Sequence, residues 1–226
     1  MARCQKLIQN DMRSLTLPFL GSVLIAAGCA SPGPTARPGA TAARDISWDA
    51  RRPLAWSDFR GPVDGTAAAE RVAMTAATLR WNYEYALERE ASSCRYWIEQ
   101  VDSEAVFNQA DSWVRPGYLT EPILRHEQGH FDLTEVFKRE LDSRTADLVG
   151  ARAACSGPTL DAAVATAERG AAERVQSVFN AVWETYAATQ ALYDRRTQHG
   201  TLAGEQALWS EAITAALASG RWQPPR

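Results

Sequence analysis

Residues 124–131 read Leu124-Arg125-His126-Glu127-Gln128-Gly129-His130-Phe131. Within them lies His-Glu-x-x-His, two imidazoles four residues apart with a carboxylate between. On a helix of 3.6 residues per turn, positions 126 and 130 stack on one face, so both rings can bind one metal ion. Glu127 lies about 100° further round the helix. That is too far to make it a ligand beside the histidines, yet near enough to reach a water on the metal. The pattern is the one in which zinc holds the water and the glutamate acts as general base. The chain has only three histidines, so finding two of them at this spacing carries weight. Ile123, Leu124 and Phe131 add apolar bulk, as a partly buried metal helix needs.

A catalytic zinc takes three protein ligands and leaves a position for water, so the third must come from elsewhere in the fold. The remaining histidine, His199 in Tyr193-Asp194-Arg195-Arg196-Thr197-Gln198-His199-Gly200, is the expected third zinc ligand beside His126 and His130. Glu184 and Asp194 are rival carboxylates, and Asp194 can instead accept an imidazole N–H. Glu135 and Asp132 face away from the histidines on a continuous helix. Tyr193 and Arg196 are the nearest donors by sequence for charge developing on a substrate carbonyl.

These residues need a scaffold. Strand-like alternation starts at Val72 and continues through Trp81, Tyr83 and Tyr85 to Leu87, with a turn over Glu88–Ser93 and more strand at Tyr96, Ile98, Val101 and Val106. Short strands and a turn are expected around Trp48, Trp56 and Phe59. The remainder reads as helical. Thr120 is placed to cap a helix with Pro122 in its first turn, running to about Val149. Thr159 caps a second, whose stripe is Val175, Val178, Phe179, Val182 and Tyr186. A third spans about Ala203 to Ser219, and Gly220 stops it. The expected class is α+β: a small antiparallel N-terminal sheet, then a helical half carrying the metal motif.

The start of the chain reads as targeting sequence. Residues 1–28 place Arg13 before an apolar run through Leu15, Leu20, Val23 and Ile25, and Ala26-Ala27-Gly28-Cys29 resembles a bacterial lipoprotein cleavage box with Cys29 as the lipidated residue. Residues 29–43 are, apart from Cys29 and Arg37, Ser, Pro, Gly, Thr and Ala without bulky apolar side chains, a tether. Residues 44–226 are then one domain with one core. The expected location is outside the cytoplasm, in the periplasm or anchored to the envelope through the lipid. Cys94 and Cys155 suit such an oxidising compartment as a disulfide pair. A net charge of −3 without a basic cluster argues against nucleic acid as a partner.

Three blocks together carry a family resemblance: Leu54-Ala55-Trp56-Ser57-Asp58-Phe59, His126-Glu127-Gln128-Gly129-His130-Phe131-Asp132, and Tyr193-Asp194 with Thr197-Gln198-His199-Gly200. They resemble the signature blocks of a bacterial family of secreted proteins catalogued as predicted zinc-dependent proteases. The resemblance implies a zincin-like metallopeptidase domain over 44–226, Zn²⁺ as cofactor, a peptide or protein substrate, and His199 and Asp194 as the residues that complete the site. Two other functions share the same residues: a zinc amidase acting on cell-wall peptides, and a non-enzymatic envelope lipoprotein with a structural metal.

Overall fold

The computed structural model describes residues 45–90 and 93–225, and at residues 89, 90 and 93 the backbone alone. The leader, Cys29 and the tether lie outside the described residues. The fold is α+β, with antiparallel sheets in the N-terminal half and three helices in the C-terminal half.

Strand β1 (Ile46–Ser47) and a 3-10 turn (Trp56–Asp58) come first, followed by β2 (Ala73–Met74), β3 (Ala77–Glu90), β4 (Ser93–Phe107) and β5 (Trp113–Val114). Helix α1 is Glu121–Ala146, then come β6 (Ala153–Cys155), α2 (Leu160–Thr197) and α3 (Ala203–Ser219). In the main sheet β4 is central. It pairs with β3 along one side, and with β1 and β6 at opposite ends of the other. Strands β2 and β5 form a separate two-stranded sheet.

The long β3–β4 hairpin is wider in reach than its polar middle suggests. A turn over Glu88–Ser93 is expected from the sequence, but Glu88, Arg89 and Glu90 remain paired to Arg95, Cys94 and Ser93. Ladder hydrogen bonds and the buried residues just below hold charged positions in the strand. The register slips once, between Glu84 and Tyr85, so Glu99 is the extra residue. That bulge switches the parity of the buried face of β4, from Cys94, Tyr96 and Ile98 to Ala105 and Phe107. A strict period of two would have sent half of this strand's apolar residues to solvent.

Helix α1 packs on β4 and β3, and α2 runs beside α1 and crosses the sheet. The buried stripe of α2 starts with Ala163, Ala167 and Ala171 and thickens to Val175, Phe179, Val182 and Tyr186. Small residues let the helix approach the sheet at one end, while the bulky ones fill the space against α1 at the other. Thr159 caps α2 by accepting from the Ala162 amide at 3.2 Å. Thr120 holds the N-cap position of α1 without a side-chain hydrogen bond to the helix.

Cys94 and Cys155 are disulfide-bonded across the β4–β6 pair, with Cα atoms 4.8 Å apart. The bond closes a loop of 61 residues that contains all of α1. Replacing both cysteines by serine is expected to lower unfolding free energy by about 4 kcal/mol. Urea unfolding of variant and parent checks this; equal midpoints would show that the crosslink is dispensable.

The first block of the family resemblance serves as a buttress for α1. Leu54 and Phe59 are buried with Phe107 and Phe131. The Leu54 amide donates to Gln128 Oε1 at 2.7 Å, and Trp48 Nε1 donates to Asp132 Oδ1 at 2.8 Å. Gln128 Nε2 donates to the same Asp132 oxygen at 2.7 Å. The polar residues next to the two motif histidines thus tie α1 to the N-terminal segment. Burial raises the Asp132 carboxyl, and those two hydrogen bonds pull it back only in part.

Candidate metal centre

His126 and His130 stand one turn apart on α1, with their Nε2 atoms 3.1 Å from each other. Asp194, from the last turn of α2, brings Oδ1 to 3.1 Å from His126 Nε2 and 3.0 Å from His130 Nε2. These donors lie within 4.8 Å of one another and could hold a metal ion. For a tetrahedral zinc with bonds of about 2.0–2.1 Å, ligand atoms sit about 3.3 Å apart. The observed separations are a few tenths of an ångström shorter, so small outward shifts would admit the ion.

Both rings are oriented by their other nitrogen. His130 Nδ1 faces Gln190 Oε1 at 2.5 Å, while Gln190 Nε2 donates to the His130 carbonyl at 3.0 Å. His126 Nδ1 faces Gln206 Oε1 at 3.2 Å and Thr197 Oγ1 at 3.3 Å. With a proton on each Nδ1, the Nε2 lone pairs aim at the space beside Asp194. Gln190 is four residues before Asp194, so one face of α2 presents both the ligand carboxylate and the ring clamp. Gln190→Ala is expected to weaken zinc binding by about 10–100-fold without unfolding the protein. Competition with a chromogenic chelator measures it, and unchanged affinity would remove Gln190 from the site.

Two glycines permit this approach of α2 to α1. A side chain at Gly129, inside the motif, would collide with the Tyr193 hydroxyl. The Tyr193 ring stacks on His126, centroids 4.5 Å apart, and its hydroxyl donates to the His126 carbonyl at 3.2 Å. Gly200 has φ +83°, and a Cβ there would come within 2.6 Å of His126 Cβ. Only glycine fits both that conformation and that space.

His199 is in contact with the centre through Asp194. Its Nδ1 lies 3.1 Å from the same Asp194 Oδ1, while its ring centroid is 6.3 Å from that of His126. The three-donor group that could hold a metal counts Asp194 as its third member, and His199 meets that group at the same Asp194 oxygen as the two motif histidines. Two consecutive left-handed residues, Gln198 (φ 48°) and His199 (φ 53°), turn the chain here. Such conformations cost about 1–3 kcal/mol each for non-glycine residues and cluster at functional sites.

Of the other residues singled out in the sequence, Glu127 is buried beside the histidines, and its Oε2 has no hydrogen-bond partner among the described residues. Its carbonyl accepts from Thr75 Oγ1 at 3.2 Å. Tyr193 lies under His126 with its hydroxyl engaged, and Arg196 is paired with Glu205 at 3.1 and 3.2 Å. Glu184 is exposed, ten residues earlier on α2 than Asp194, roughly 15 Å along the axis. Gln190, Gln206 and Arg71 have no sequence signal as site residues, and Thr197 is marked only by its place in the third resemblance block. Arg71 Nη2 lies 3.9 Å from Asp194 Oδ2.

The electrostatics are those of a cation site. Burial pushes His126 below its ordinary value, more than Asp194 raises it. Burial also opposes charge on His130, but the Asp194 charge and hydrogen bond outweigh this and lift it to about 9. Asp194 is held well below the usual carboxylate range, because His130 charge and three imidazole hydrogen bonds overcome its burial. A partly buried carboxylate ringed by imidazoles favours a cation at their meeting point, where a metal ion would compete with a proton. The orphaned Glu127 oxygen and the two-His, one-Asp donor set fit zinc with an open position.

Residues 49–200 match the family model described as a bacterial protein of unknown function (DUF922). That span includes the three donors, Glu127, Gln190 and His199, and ends just before α3. No curated protein and no solved structure matches the chain.

Proposed function

The chain belongs to the bacterial family of unknown function DUF922, and we propose that it is a zinc-dependent peptidase of the bacterial envelope. The observation that carries this is the buried Glu127 carboxylate, with Oε2 unpartnered among the described residues, next to imidazoles converging on Asp194. A site built only to staple helices has no use for such a group, and burying it without a partner costs about 1–3 kcal/mol.

His126, His130 and Asp194 would hold the ion, with His199 hydrogen-bonded to Asp194 and Gln190 and Gln206 set against the rings. A zinc ion held there would supply the Lewis acidity that brings the pKa of an attacking water toward neutrality and polarises the scissile carbonyl. Glu127 takes a proton from that water as its oxygen bonds to the carbonyl carbon. The carbonyl π pair moves onto the carbonyl oxygen. Glu127 then delivers the proton to the amide nitrogen as the C–N bond breaks and C=O reforms. The products are a carboxylic acid and an amine, and Glu127 is again a carboxylate.

Export fits the disulfide, since such bonds persist in oxidising compartments. Attachment to a membrane through lipid on Cys29 belongs to the same proposal. No described helix is long and apolar enough to cross a membrane.

The test is metal content by mass spectrometry together with hydrolysis of a peptide library and of purified peptidoglycan. Zinc-dependent peptide cleavage, abolished by chelator and restored by zinc, is the expected result. Cleavage of peptidoglycan alone would move the assignment to a cell-wall amidase. A zinc-loaded protein that cuts neither, and unfolds when chelated, would mark a structural metal.

A further inference from the structure

Hydrolysis as proposed builds negative charge on the carbonyl oxygen, and a preorganised donor there is worth about 10²–10³ in kcat. The donors nearest the motif are spent. The Tyr193 hydroxyl donates to the His126 carbonyl at 3.2 Å and faces Gln206 Nε2 at 2.7 Å. Arg196 gives Nε and Nη2 to Glu205. His199 has its Nδ1 turned to Asp194 Oδ1 at 3.1 Å.

Arg71 comes from another part of the chain. It lies two residues before β2, where Val72 and Ala73 pack with Ile123 of α1. Just past β2, Thr75 donates to the Glu127 carbonyl. The segment thus runs beside the metal helix, and it carries the guanidinium to 3.9 Å from Asp194 Oδ2. At that distance the pair is no hydrogen bond, and a charge-assisted structural pair closes to about 2.7–2.9 Å. None of the Arg71 side-chain N–H groups donates a hydrogen bond among the described residues, and the side chain is 43% exposed.

The backbone beneath it is fixed. Arg115 donates from Nε to the Arg71 carbonyl at 3.1 Å and from Nη2 to the Ala67 carbonyl at 3.1 Å. The Arg115 amide donates to the Val72 carbonyl at 2.7 Å, and the Arg71 amide to the Ala68 carbonyl at 3.1 Å. A cation with an anchored backbone and an uncommitted head group, at the rim of a metal centre, is equipped to receive a ligand oxygen.

We infer that Arg71 is a catalytic residue of the proposed peptidase, donating hydrogen bonds to the scissile carbonyl oxygen as the carbonyl electron pair moves onto it. This rests on the peptidase function proposed above. Arg71 transfers no proton: the pair returns to re-form C=O when the C–N bond breaks, and the guanidinium is unchanged. Its fork of donors suits an oxyanion better than a neutral carbonyl, so its effect falls on the transition state.

The test uses the zinc-loaded protein and its Arg71→Ala and Arg71→Lys variants. Zinc content, kcat and KM on the best-cleaved library peptide are read, together with calorimetric affinity for a phosphonate peptide, an anionic mimic of the tetrahedral state. Arg71→Ala is expected to keep its zinc, lose about 10²–10³ in kcat with KM little changed, and lose phosphonate affinity in parallel. Arg71→Lys should recover part of both. If the parent cleaves and binds phosphonate and Arg71→Ala does so equally, Arg71 has no such role while the peptidase stands. If Arg71→Ala loses zinc, the residue only positions Asp194. A zinc-loaded parent that neither cleaves peptides nor binds the phosphonate overturns the peptidase and this role with it.

Discussion

Glu127→Gln is expected to keep the zinc content of the parent and to lower peptide hydrolysis by about 10²–10⁴-fold. The amide is nearly the shape of the carboxylate, so packing in this buried position is preserved. What is lost is the ability to take a proton from water and pass it to the leaving amine. The geometry makes the loss specific: Glu127 is on α1 between the two ring-bearing positions, and its buried Oε2 has no competing partner among the described residues. Single-turnover rates and metal content, measured on the same preparation, give the answer. A variant that holds zinc and cleaves at the parental rate would show that proton transfer runs through some other group.

Asp194→Ala should lose zinc outright, whereas His199→Ala should weaken binding by only the 10–100-fold or so typical of an outer hydrogen-bond partner. The contrast follows from the distances. Asp194 Oδ1 stands 3.1 and 3.0 Å from the two Nε2 atoms, and it is the only carboxylate in the three-donor group. Without it, two imidazoles would have to hold the ion without a counter-charge. His199 meets the group through Asp194, so its removal loosens the carboxylate and leaves the donors in place. Chelator competition on both variants decides the order. If His199→Ala loses zinc and Asp194→Ala retains it, the imidazole is the ligand and the carboxylate the support.

Much of the architecture follows from local pattern. The aromatic alternation of β3 and the apolar stripe of α2 can be read with periods of 2 and 3.6, because each element buries one face against the other. The hairpin's extent is less visible. Glu88, Arg89 and Glu90 look like turn residues, yet the partner strand and the neighbouring core keep them paired. The bulge at Glu99 likewise has no local cue, since its effect is to keep two halves of β4 on the same side of a sheet that forms only when β3 is present.

At the site, the sequence by itself determines the part that one helix turn can set: His126 and His130 on one face with Glu127 beside them, because i and i+4 side chains are neighbours in any α-helix. It also marks the cysteine pair and the turn-forming Gly200. Only the tertiary structure brings Asp194 into the group with the two histidines that could hold a metal, sets Gln190 and Gln206 against the ring Nδ1 atoms and brings Arg71 to 3.9 Å from Asp194. Those residues are separated from the motif by 50 to 80 positions, and their meeting depends on how α2, 38 residues long, lies against α1. That placement comes from core volume, from the absence of a side chain at Gly129, and from the left-handed turn at Gln198 and His199, which sum over the whole fold.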